Sequence, residues 1–164
     1  MTIVELGRTQ SISDRTSPLR EFIRQIKIGP FTPDSDILDI SADHGSTINA
    51  EGANASGAGS SGIYAYESST INAEDADASG AGSYGIYAYK GSTINAEGAD
   101  ASGAGSHGIV ADHGSTINAD GANASGAGDL GIFANQGSRI NANGATGTLG
   151  QTANTLTFRG IIFQ

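Results

Sequence analysis

The stretch Gly45–Ala65, GSTINAEGANASGAGSSGIYA, decides how this chain folds, because it recurs. STINA begins at Ser46, Ser69, Ser92 and Ser115 and returns as SRINA at Ser138, each copy 23 residues after the last with no insertion. A second motif, Gly-Ile-x-Ala, falls on Ile63, Ile86, Ile109 and Ile132 at the same spacing, and its register reaches back to Ile40 and Ala42. A fixed period of this length marks a stacked-repeat architecture in which each repeat is one structural unit.

Within a period three short runs alternate. Ile48 and Ala50 oppose Thr47 and Asn49, Ala53 and Ala55 oppose Asn54 and Ser56, and Ile63 and Ala65 oppose Tyr64 and Tyr66. A period of two means a strand with one face buried and one exposed. Glycines 52, 57, 59 and 62 at the junctions suit corners that need φ > 0. Three strands and three corners make one triangular coil, and coils stacked at about 4.8 Å give an array roughly 25 Å long. Frequent Gly and Asn argue against an α-solenoid. Parallel crossovers are overwhelmingly right-handed, so the expected fold is an all-β, right-handed parallel β-helix of about five 23-residue coils.

Gly45–Ala65 and its copies resemble the right-handed β-helix segments of bacteriophage tail and capsid appendage proteins, over about two thirds of the chain. Similar repeats occur in bacterial adhesins and polysaccharide lyases. The resemblance is specific for architecture and implies, for function, a component of a phage particle.

Around the array, which spans residues 37–150, two segments leave the pattern. Residues 1–36 read as a docking arm and a cap helix. Ser17 is a good N-cap, Pro18 suits the first helical position, Gly29-Pro30 stops the run, and Leu19, Phe22, Ile23 and Ile26 fall on one face. This helix would plug the open end of the β-helix; alternatively Ile26 to Ile28 extend as a strand against a partner. Residues 1–16 have no core of their own and read as an arm that orders on a partner surface. Residues 151–164, with the bulkier TLTFRGIIF at Thr155–Phe163, read as a C-terminal cap or a subunit-locking strand.

Charge divides the same way. Residues 1–28 hold Arg8, Arg15, Arg20, Arg24 and Lys27 against Glu5, Asp14 and Glu21, whereas residues 37–150 hold twelve acids against Lys90 and Arg139. The net charge of −9 disfavours nucleic acid as a partner. No stretch approaches the roughly 18 apolar residues of a membrane span, and Met1 to Gln10 lacks a secretory h-region. The protein is therefore expected to stay where it is made, or to leave inside an assembly or through a lysed cell; the phage resemblance implies synthesis in the host cytoplasm and a place in the virion, on the capsid surface or the tail. With no cysteine there is no disulfide and no thiolate metal site.

The apolar residues are mostly Ala and Ile, so the core is thin, and a short solenoid with a thin core favours oligomerisation. The outward columns of the third run supply a candidate seam. One reads Ser41, Tyr64, Tyr87, Val110, Phe133 and the next Asp43, Tyr66, Tyr89, Asp112, Asn135. A stripe of Tyr64, Tyr66, Tyr87, Tyr89, Val110 and Phe133 is apolar enough to mark an interaction site. It suits a subunit interface around a three-fold axis, or a platform for sugar rings, and scattered surface aromatics are the bland alternative.

The columns Glu51, Glu74, Glu97, Asp120 and Asn54, Asp77, Asp100, Asn123 lack the GGxGxD calcium pattern and read as a solvated acidic face. Every acid belongs to a periodic ladder and no insertion builds a cleft, so no enzyme, cofactor or metal is expected. His44, His107 and His113 sit near corners, and the Thr and Asn columns are ordinary β-face residues before they are an ice-binding face.

The expected function is a non-enzymatic virion structural protein: a homotrimeric capsid decoration (cement) protein. Its docking on the major capsid protein, or another virion protein, would use Ile3, Val4, Leu6, Arg8, Ile12, Arg15, Arg20, Arg24 and Lys27. The alternatives are a short tail fibre or spike binding host glycans, and a secreted adhesin or ice-binding β-helix.

Overall fold

In a computed structural model of the chain, the repeat winds into a parallel β-helix of about five coils. The structure describes residues 26–27, 39–147 and 160–163. In chain order the strands are β1 (Ile26–Lys27), β2 (Ile40–Ala42), β3 (Thr47–Asn49), β4 (Ile63–Tyr66), β5 (Thr70–Asn72) and β6 (Tyr84–Tyr89). They continue as β7 (Thr93–Asn95), β8 (His107–Asp112), β9 (Thr116–Asn118), β10 (Leu130–Ala134), β11 (Arg139–Asn141) and β12 (Ile161–Phe163).

These strands form two parallel sheets, one ordered β1-β3-β5-β7-β9-β11-β12 and the other β2-β4-β6-β8-β10. In the first, Ile48, Ile71, Ile94, Ile117 and Ile140 are successive register partners. In the second, Ile40, Ile63, Ile86, Ile109 and Ile132 are. The β-branched side chain suits a pleated surface, and alternation sends each Ile inward. Ile71, Ile94, Ile117 and Ile140 are fully buried, and alanines fill the space between the two columns.

The third wall differs from the expected strand. It is a line of single bridges, Asn54 to Asp77 to Asp100 to Asn123 to Thr146. Gly52 and Gly57, at φ 63° and 70°, bracket it in the first coil, leaving too few extended residues for a ladder. Ala53 and Ala55 still point into the core, as the alternation predicts. One corner also departs from glycine: His44, Glu67, Lys90, His113 and Gln136 all have φ between 45° and 52° and stand in one column.

Both ends join the first sheet out of step. Ile26 pairs with Ile48 and Ile162 with Ile140, each 22 residues away rather than 23. Ile162 packs against the core and closes its isoleucine column. Ile26 and Lys27 are thus a strand on β3 of the same chain and not the end of a helix. The rest of the expected helix, residues 17–25, lies outside the described residues, as do residues 151–159.

Candidate functional site

The outward face of β4, β6, β8 and β10 carries the aromatic residues, and the 23-residue register stacks them. The Tyr64 and Tyr87 rings lie 5.3 Å apart at 24°, and those of Tyr66 and Tyr89 5.7 Å apart at 18°. The two columns touch sideways, Tyr64 to Tyr66 at 5.9 Å and Tyr87 to Tyr89 at 5.6 Å. All four rings are half-buried, as is Phe133. Val110, between Tyr87 and Phe133 in the register, is only 4% exposed, so within one chain it is already core-like.

A third column went unread in the sequence. A β-carbon on Gly85 would lie 2.6 Å from the Ala101 β-carbon and 2.8 Å from the Gly108 carbonyl oxygen, so Gly85 faces inward together with Ile86. The alternation skips there, and the preceding residue joins the aromatic face. Tyr84 packs 4.8 Å from Tyr87 and 5.7 Å from His107, which in turn lies 5.3 Å from Phe133. The available signal was the repeated glycine itself, at 62, 85, 108 and 131.

Packing sets the electrostatics. Burial pushes the Tyr64 hydroxyl up to about 12, and it raises Tyr87 further. Burial likewise lowers the His107 imidazole, against an opposing pull from Asp129. At the rim, Lys90 Nζ donates to the Tyr66 hydroxyl at 2.6 Å and to Glu67 Oε1 at 3.3 Å, and it lies 4.7 Å from the Tyr66 ring centroid. The Tyr66 hydroxyl and Lys90 hold the Glu67 carboxyl below its ordinary range, and the same hydroxyl and Glu67 raise Lys90.

Asp43, His44 and Glu67 bring three ligand-type atoms within 4.8 Å of one another. Both imidazole nitrogens already face carboxylates, however: Nδ1 is 2.5 Å from Asp43 Oδ2 and Nε2 is 2.9 Å from Glu67 Oε2. With Lys90 next in line, the corner reads as a charge ladder, His44 to Glu67 to Lys90, rather than as an open coordination sphere.

The remaining columns are engaged locally. Asp77 and Asp100 accept the N–H groups of Ser79 and Ser102, both at 2.9 Å. On the other sheet, the side-chain amides of Asn72, Asn95, Asn118 and Asn141 each donate to the asparagine one coil earlier, at 3.0 to 3.2 Å. No protein-family model matches the chain, and comparison with curated proteins and with solved structures finds no match.

Of the expected site residues, Tyr64, Tyr66, Tyr87, Tyr89, Val110 and Phe133 come together on one face. Of the expected docking residues, Lys27 lies in β1, on the other sheet. Ile3, Val4, Leu6, Arg8, Ile12, Arg15, Arg20 and Arg24 lie outside the described residues. Chemically, the aromatic face offers ring edges and hydroxyls, rimmed by ion pairs.

Proposed function

We propose that the protein is a non-enzymatic structural component of a bacteriophage particle, a homotrimeric capsid decoration (cement) protein. It associates with itself along the aromatic face and docks on the major capsid protein, or another virion protein, through its N-terminal arm. The phage setting draws on the resemblance of the Gly45–Ala65 repeat; the self-association draws on the aromatic face.

One observation carries the assembly reading. Tyr64 with Tyr87, and Tyr66 with Tyr89, turn their ring faces toward each other along the solenoid. Sugars stack on open ring faces, and here those faces are largely used within the chain. The surface left over is a ridged band of ring edges and hydroxyl groups. Tyrosine combines apolar area with a polar tip and is enriched at protein interfaces for that reason. A second copy packed ridge into groove would exclude water from the apolar edges while the hydroxyls keep partners. The acidic array and the basic arm further suit a body that faces solvent and an arm that faces the particle.

Sedimentation velocity on the full chain tests this reading. The protein should run as a trimer, and a Tyr64→Ser, Tyr87→Ser, Phe133→Ser variant as a monomer. An unchanged oligomer in that variant would move the seam elsewhere. A wild-type monomer that binds host-surface glycans would replace the cement reading with that of a tail fibre or spike.

A further inference from the structure

We infer that His107 makes self-association along the aromatic face dependent on pH, the neutral imidazole holding the seam and the imidazolium opening it. This rests on the assembly reading given above, and it adds a control residue to that face.

His107 has an unusual place among the three histidines of the chain. His44 and His113 stand at corners with exposed rings, beside Asp43 and Asp112 respectively. His107 instead lies in β8, inside the aromatic face, its side chain only 15% exposed. Tyr84 of β6 lies on one side at 5.7 Å and Phe133 of β10 on the other at 5.3 Å. Its Nδ1 is 2.6 Å from the Ser106 hydroxyl, a partner that serves the neutral ring as well as the charged one.

Of the charged and titratable groups around it, Tyr84 faces it from β6 and Asp129 from the turn before β10. Asp112, further along β8, is held by His113. Asp129 Oδ2 stands 3.7 Å from Nε2, beyond hydrogen-bond reach, and its side chain is 67% exposed, so water screens most of its attraction. An imidazolium here gains little from Asp129, its one carboxylate neighbour among the described residues, and loses its hydration. Burial accordingly outweighs Asp129 in setting the ring's proton affinity. A second copy laid over the face would remove the remaining water and disfavour the charged form further.

The sign follows from linkage. The free subunit binds a proton on His107 more readily than the assembled one, so acid favours separation. Burial already holds His107 of the free subunit below the ordinary histidine value of 6.5, so its contribution to association is complete at that value and above and is lost as the pH falls through the lowered value of the free subunit. Each unit of difference in proton affinity between the two states weakens association about tenfold per subunit. Three copies in one assembly compound that effect.

The test is sedimentation velocity of the full chain at pH about 7.5 and about 5, with His107→Phe and His107→Gln beside the wild type, circular dichroism checking the fold of each. His107→Phe keeps the ring packing without the titration; His107→Gln keeps a hydrogen-bonding group and guards against a phenylalanine variant that fails to fold. The expected result is a wild type assembled at the higher pH and separated at the lower, with both variants assembled at both. A wild type still assembled near pH 5 removes the switch and leaves the seam standing. Variants that separate in acid along with the wild type take the role from His107 and give it to another group. A wild type that is monomeric even near pH 7.5 defeats the seam reading, and the switch with it.

Discussion

The Ser92 hydroxyl accepts the backbone N–H of Ser69, one coil earlier, at 3.2 Å, and itself donates to the Tyr89 carbonyl at 2.8 Å. The same link joins Ser92 to Ser115 and Ser115 to Ser138. These four serines are fully buried, Ser69, Ser92 and Ser115 at the entry to Thr-Ile-Asn strands and Ser138 at the entry to the Arg-Ile-Asn strand β11. A parallel coil must place every backbone donor, and at this corner a hydroxyl does it.

Ser92→Ala should therefore cost more than a surface serine change. It leaves the Ser69 N–H and the Tyr89 carbonyl each short of a buried partner, which corresponds to about 1–3 kcal/mol. Urea unfolding of the variant checks it, and a loss below a few tenths of a kcal/mol would mean that water replaces the hydroxyl.

Two glycines at the same repeat position should behave oppositely. A β-carbon on Gly82 would collide with the Gly59 carbonyl of the preceding coil, whereas one on Gly59 meets nothing within 4 Å. Gly82→Ala should destabilise by about 1–3 kcal/mol through overpacking. Gly59→Ala should be neutral, or stabilise by up to about 1 kcal/mol by restricting the unfolded chain. The difference between the two unfolding midpoints is the measurement.

The asparagine ladder is directional, since each amide donates to the residue before it. Asn95→Asp keeps an acceptor for the Asn118 amide but faces the Asn72 carbonyl oxygen with a second acceptor. A loss of about 1 kcal/mol is expected at neutral pH, and it should shrink in acid, where a protonated carboxyl can donate again. Stability curves for the variant and wild type, taken across pH about 3 to 7, show whether the gap closes.

Alkali should act through the tyrosines. Tyr64 is held at about 12 by burial and Tyr87 is raised further, so both resist ionising in the fold. A raised acid contributes stability that is complete below the unfolded value of 10.0 and is lost as pH climbs past it. Titration followed by phenolate absorbance should show a late phase that coincides with unfolding, and Tyr64→Phe, Tyr87→Phe should remove it.

The period made the two isoleucine columns legible, because a side chain that must be inside in one coil must be inside in all of them. The aromatic columns through Tyr64 and Tyr66 were legible for the same reason. What alternation misses is any place where the backbone stops alternating. Gly85 and Gly108 each put two successive residues inward, with Ile86 and Ile109, and so hid Tyr84 and His107, the latter the residue on which the proposed switch depends. The third wall reads as strand in sequence, yet the left-handed glycines on either side leave room for one bridge per coil. The burial of Val110 depends on the size of its neighbours across two coils, which no single coil records. The shift to 22 residues at both ends lies where the repeat no longer guides the eye.

That shift falls at the two ends, and between them the backbone register repeats from coil to coil. Each inner coil bonds only to the coils above and below it, always in the 23-residue register. Duplicating Gly91–His113 should thus insert one whole coil and lengthen the body by about 4.8 Å, with neither end aware of the change. The body is cut to length in unit steps, and gain or loss of a repeat would reset the separation of β1 from β12.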